Sequence, residues 1–117
     1  MDSKKRINSR EKGKRGEREG AKLLNDLLDR DDIKRSQQFK GGVDSADLQI
    51  DDCSLHPEIK WVDKLNIYEA IEQAERDCNN KVPFVLHKRN YKEPLLTIRA
   101  KDLIEFCREI LRIKDKK

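Results

Sequence analysis

At 117 residues the chain has room for one domain with a single modest core. Hydrophobic residues make up 35% and charged residues 43%, yet the apolar ones fall in periodic blocks, which excludes a wholly disordered chain. No apolar run nears the length of a membrane span, and nothing apolar follows the basic start MDSKKRINSR. A soluble, cytoplasmic protein with no signal peptide is therefore expected.

The net charge of +4 is unevenly placed. Residues 1–18 hold eight Lys and Arg against three acids, and such a basic stretch beside a folded domain points to a polyanion, with nucleic acid the commonest case. Residues 1–12 are expected as a flexible basic arm of a single domain spanning 1–117, and residues 114–117 as a frayed tail. Three cysteines, Cys53, Cys78 and Cys107, are odd in number and form no C-x-x-C pair, which predicts free thiols. Cys53 and His56 lack the second pair that a zinc site needs.

In chain order, Ala21, Leu24 and Leu28 lay an apolar stripe along a first helix, and one turn back from Ala21 the stripe meets Glu17. Gly13, Gly16 and Gly20 weaken its early turns and would admit a phosphate backbone. IKRSQQF (33–39) reads as an edge strand, KGGVDSAD as a glycine-rich loop, and LQI (48–50) as a strand entered from Asp47. Residues 51–56 are expected to form a hairpin connection to the strand PEIKWV (57–62). Ile67, Ala70, Ile71, Ala74 and Cys78 follow helical spacing behind Asn66, a cap. VPFVLH (82–87) is nearly all apolar, as in a central strand, and PLLTI (94–98) is another strand. A last helix from about Ala100 to Ile113 is expected to bury Leu103, Ile104, Phe106, Cys107, Ile110 and Leu111. The order, α-β-β-β-α-β-β-α, predicts an α/β fold with a mixed central sheet flanked by helices, and parallel strands in the β-α-β passage.

Within HPEIKW, alternation puts Glu58 and Lys60 on one strand face and Ile59 and Trp61 on the other. Asp47 opens the neighbouring strand, and Glu17 looks in from the first helix. Carboxylates gathered at a strand end are costly unless a cation neutralises them, and hard oxygen ligands suit Mg²⁺ or Mn²⁺. A lysine beside such a metal can orient a water or steady charge on a phosphate. With basic surface nearby, these residues fit metal-assisted phosphodiester hydrolysis. By themselves they fit a solvated strand face equally well: the acid–any–Lys pattern occurs four times, and only Glu58–Lys60 lies inside a strand.

Glu17 in GERE, Asp47 in GGVDSADL, and Glu58 with Lys60 in EIKW, followed by KLNIYEAIEQAERD and VPFVLHKRN, resemble the PD-(D/E)xK nuclease superfamily. The closest likeness is to the Holliday-junction resolvases of archaea and phages, over roughly residues 12–106. The resemblance implies a restriction-endonuclease-like core (α-β-β-β-α-β) with an extra strand and a C-terminal helix. It implies a Mg²⁺-dependent endonuclease, probing four-way or other branched DNA as a homodimer, in a host cytoplasm if phage-encoded, with no small-molecule cofactor. By the same resemblance Asp47, Glu58 and the Ile59 backbone carbonyl hold the metal, Glu17 is a further ligand, and Lys60 serves the attacking water. Arg18 and Arg35 fall where resolvases carry phosphate-binding arginines, and Lys14, Arg15, Gln73 and Lys88 extend the expected DNA surface. One departure is Ala46 where a proline usually precedes the motif Asp. Asp44 competes with Asp47, which is preferred because it adjoins the strand.

His56, in a turn, and His87, at a strand end, are expected to be structural, and Trp61 to pack under a helix. Tyr68 is expected to be half-buried. Two other readings stay open: a nuclease for flaps, forks or single strands, and a DNA-binding module without catalysis.

Overall fold

The computed structural model describes residues 2–36 and 46–115, with side chains from residue 11 onward. Helix α1 spans Asp2–Leu28, so residues 2–12 continue a helix where a flexible arm was expected. Its second half buries Ala21, Leu24 and Leu28, the expected stripe. Asp29, at φ 55°, ends it, and Arg30 N–H reaches back to the Asn25 carbonyl at 2.9 Å, the closure of a left-handed helix stop. The Asn25 amide then acts as a strand partner for Ile33, accepting from its N–H and donating to its carbonyl, both at 3.0 Å.

Strands β1 (Lys34–Arg35) and β2 (Leu48–Gln49) pair antiparallel. The expected strand over 33–39 is thus short, and residues 37–45, including Asp44 and most of the glycine-rich loop, lie outside the described residues. β3 (Leu55–Trp61), β4 (Val82–Lys88) and β5 (Leu95–Ile98) form a second sheet in the order β3-β4-β5. β4 is central as expected, parallel to β3 and antiparallel to β5, so this sheet is mixed. Between β3 and β4 runs α2 (Ile67–Asp77), capped by the Asn66 side chain accepting from Glu69 N–H. A 3₁₀ turn, Ala100–Asp102, leads into α3 (Leu103–Asp115), so Lys114 and Asp115, expected in the tail, are helical.

The expected β2–β3 hairpin does not form a ladder. Pro57 has no N–H to give toward β2, and the Ile59 N–H on that edge is taken by the Asp47 side chain. What joins the two small sheets is Asp47 N–H donating to the Pro57 carbonyl at 3.1 Å.

Ile59, Trp61, Phe84 and Leu86 meet α1 and Ile113 of α3 on one face, while Val85 meets Ala70 and Ala74 of α2 on the other. α3 docks by fewer residues than expected. Phe106, Ile110 and Ile113 face the core, whereas Leu103, Ile104, Cys107 and Leu111 are exposed. No helix among the described residues is long and apolar enough to cross a membrane.

Candidate active site

The site is built around β3. Its Ile59–Trp61 face sits under α1, where two glycines let the helix come close. A Cβ on Gly16 would lie 2.9 Å from the Trp61 side chain, and one on Gly20 would lie 3.0 Å from Ile59 Cδ1. These glycines therefore serve helix–strand contact and face the core, not a phosphate backbone. Trp61 packs under the helix as expected, its indole N–H donating to Glu19 at 2.8 Å. The contact fixes α1 along β3 and brings Glu17 to the site.

The opposite face of β3 carries His56, Glu58 and Lys60. Glu58 is 4% exposed and His56 1%. His56 is thus a strand residue packed inside, where the sequence suggested a turn. Its Nε2 lies 3.4 Å from Glu58 Oε1 and makes no hydrogen bond among the described residues. Lys60, half-buried, lines an open groove of about 490 Å³ with Asn66, Glu69, Gln73 and Arg76 of the α2 face.

Asp47 closes the arrangement from the residue just before β2. Its Oδ2 accepts from Ile59 N–H at 2.8 Å. Because N–H and C=O of one strand residue point the same way, the Ile59 carbonyl also faces the Asp47 edge and not β4. Burial, then the neighbouring Glu58 carboxylate, push the Asp47 carboxyl up to about 7; the Ile59 N–H pulls down, Glu17 adds to the rise and Lys60 opposes it. Glu58, Glu17 and Lys60 are therefore the charges that Asp47 feels.

Glu17 has a nearer partner. Arg35 Nε donates to its Oε1 at 2.7 Å, and the pair is only partly exposed. Among the described residues no group of three or more His, Cys, Asp and Glu side chains stands close enough to hold a metal ion. The acidic centre is a pair, Asp47 and Glu58, with Glu17 turned to an arginine beside it.

The other sequence-chosen residues spread over two regions. Lys14, Arg15 and Arg18 lie on α1, with Arg18 exposed and Arg15 3.8 Å from Glu19. Lys88 ends β4 far along the chain, its Nζ donating to the Arg89 carbonyl. His87 bonds Thr97 through Nε2 at 2.8 Å, a structural role, and burial lowers its pKa. Tyr68 is exposed, not half-buried. Sequence reasoning missed Arg76 and the inward position of His56. Arg76 was detectable, three residues after Gln73 on the same helical face.

Comparison with protein-family models, with curated proteins and with solved structures finds no match for this chain.

Proposed function

We propose that the chain is a metal-dependent, structure-specific DNA endonuclease of the restriction-endonuclease-like fold, a Holliday-junction resolvase. One observation carries the reading: a buried carboxylate, Glu58, lies near a half-buried one, Asp47, at a strand edge, with a lysine next along the same strand face. Asp47 is held by the Ile59 N–H and raised to about 7, partly by Glu58. Carboxylates whose charge is disfavoured by burial and by a like-charged neighbour are costly to keep and gather at sites that use them.

The donor set fits Mg²⁺ despite lacking a third acid, because Mg²⁺ keeps several waters and is commonly held by one or two carboxylates together with substrate phosphates. Asp47, Glu58 and the Ile59 carbonyl would hold it. When bound, the ion lowers the pKa of a coordinated water and neutralises phosphoryl oxygens. The chain's own residues do the rest. The Ile59 N–H fixes the Asp47 carboxylate. Lys60, at the mouth of the α2 groove, directs its ammonium toward a phosphate or the water that attacks it. Gln73 and Arg76, on that groove, face the substrate backbone. Lys14, Arg15 and Arg18 add sequence-independent attraction for phosphates. Two cuts in a two-fold junction call for two copies, and the exposed apolar stripe of α3, Leu103, Ile104, Cys107 and Leu111, offers a second copy a surface to cover.

The test is cleavage of a labelled four-way junction beside a matched linear duplex, with Mg²⁺, with EDTA, and with Glu58→Ala and Lys60→Ala proteins. Paired symmetric nicks in the junction are expected, abolished by EDTA and reduced roughly a hundredfold or more by either substitution. Equal cutting of both DNAs would discard junction specificity. Binding without any metal-dependent cut would leave a DNA-binding module.

A further inference from the structure

The five residues other than glycine that take positive φ among those described are Asp29, Asp52, Asn79, Asn80 and Tyr91. Four are Asp or Asn, which tolerate the left-handed region. Tyr91, at φ 64°, is the exception. It stands at the third position of the turn joining β4 to β5, closed by Lys92 N–H donating to the Arg89 carbonyl at 3.2 Å. A positive φ there normally calls for Gly or Asn.

The turn is braced rather than loose. Asp63, just past β3, accepts from Asn90 N–H at 2.8 Å and from the Asn90 amide at 2.9 Å, while its carbonyl accepts from Arg89 Nε at 2.9 Å. A strained backbone so held presents the Tyr91 ring, which is 101% exposed and therefore contributes nothing to the core. Lys88, Arg89 and Lys92 belong to the same turn, Lys88 Nζ donating to the Arg89 carbonyl. Lys60 pairs in register with His87, and Trp61 with Lys88, so this turn and Lys60 share one end of the sheet. Beside the turn lies a hollow of about 520 Å³ walled by Val62, Leu65, Ile67 and Leu95, and lined as well by Lys88, Arg89 and Lys92 and by the acids Asp63 and Glu93, Asp63 being the one that braces the turn.

We propose that the β4–β5 turn is a branch-point reader: Tyr91 stacks on a nucleobase exposed where the DNA branches, and Lys88, Arg89 and Lys92 hold the flanking phosphates. A linear duplex offers no free base face along its length, whereas stacking is interrupted where a branch point is opened, so an aromatic on a braced turn beside these cations discriminates between them. The inference rests on the reading above, that the substrate is branched DNA.

Binding is measured in Ca²⁺, without cutting, to a four-way junction bearing 2-aminopurine at the branch point and to a matched linear duplex. Wild type, Tyr91→Phe and Tyr91→Asn are compared, the last because Asn suits the turn's backbone. Wild type and Tyr91→Phe should change the 2-aminopurine fluorescence and bind the junction roughly 5- to 150-fold more tightly than Tyr91→Asn. All three should bind the duplex alike, and Tyr91→Asn should melt no lower than wild type. Equal junction affinity for wild type and Tyr91→Asn would overturn the proposal, as would equal losses on junction and duplex. A wild type that does not prefer the junction would show that the underlying substrate reading has failed, before any variant is consulted.

Discussion

Burial and the adjacent Glu58 hold the Asp47 carboxyl up to about 7, far above the 3.8 of an exposed aspartate. The folded chain therefore binds a proton at Asp47 that the unfolded chain releases, and this side chain makes folding progressively less favourable as pH rises from about 4 to about 7. Asp47→Asn keeps an acceptor for the Ile59 N–H and removes the charge. It should be more stable than wild type at pH 8, by roughly 2 to 4 kcal/mol, with the difference vanishing near pH 4. Thermal unfolding across that range measures it. In the same assay Mg²⁺ at pH 8 should raise the melting temperature of wild type and leave Asp47→Asn nearly unmoved, since a ligand stabilises only the state that binds it. At this scale the site was legible where strand alternation governs it, at Glu58, Lys60 and Trp61. It was less so where partners come from afar. Glu17 was placed at the site by its helical phase, but nothing in the sequence announced that Arg35 would pair with it. The contact between His56 and Glu58 required knowing that β3 begins at Leu55.

Among the elements, the packing of α1 on β3 depends on where its glycines fall. Gly13 has open space around it, whereas Gly16 touches Trp61. Gly13→Ala should stabilise the chain by about 0.5 to 1 kcal/mol through helix propensity, and Gly16→Ala should destabilise it by about 1 to 3 kcal/mol through overpacking. Chemical denaturation of the two variants compares them directly, and their opposite signs are the point of the experiment. The helices and the central strand could be read from periodicity because each buries one face, and β4 is apolar enough to be recognised as surrounded. The β2–β3 hairpin was misread because turn residues at 51–54 give no account of what Pro57 cannot donate. The outer stripe of α3 was read as core for a related reason: its apolar residues wrap about half the helix, and periodicity does not say which part meets the sheet.

At the scale of the whole molecule, that stripe is one of the apolar surfaces left exposed after folding, beside Leu27 of α1 and Leu95 of β5. Leu111 and Ile104 are each 62% exposed. Leu111→Glu should leave the melting temperature within about a degree or two, since the side chain is not in the core, and should shift a dimer toward monomer in light scattering. A wild type that is monomeric at every concentration would remove the two-copy arrangement.

The parallel register of β3 with β4 has a further bearing on how the chain is made. Glu58 lies opposite Val85, and Leu55 opposite Val82, with all of α2 between the two strands. A nascent chain that has left the ribosome only as far as α2 already carries Asp47, Glu58 and Lys60, but lacks β4, the strand that pairs with the other edge of β3. The sheet that carries Glu58 and Lys60 is thus completed only after its central strand, β4, has emerged.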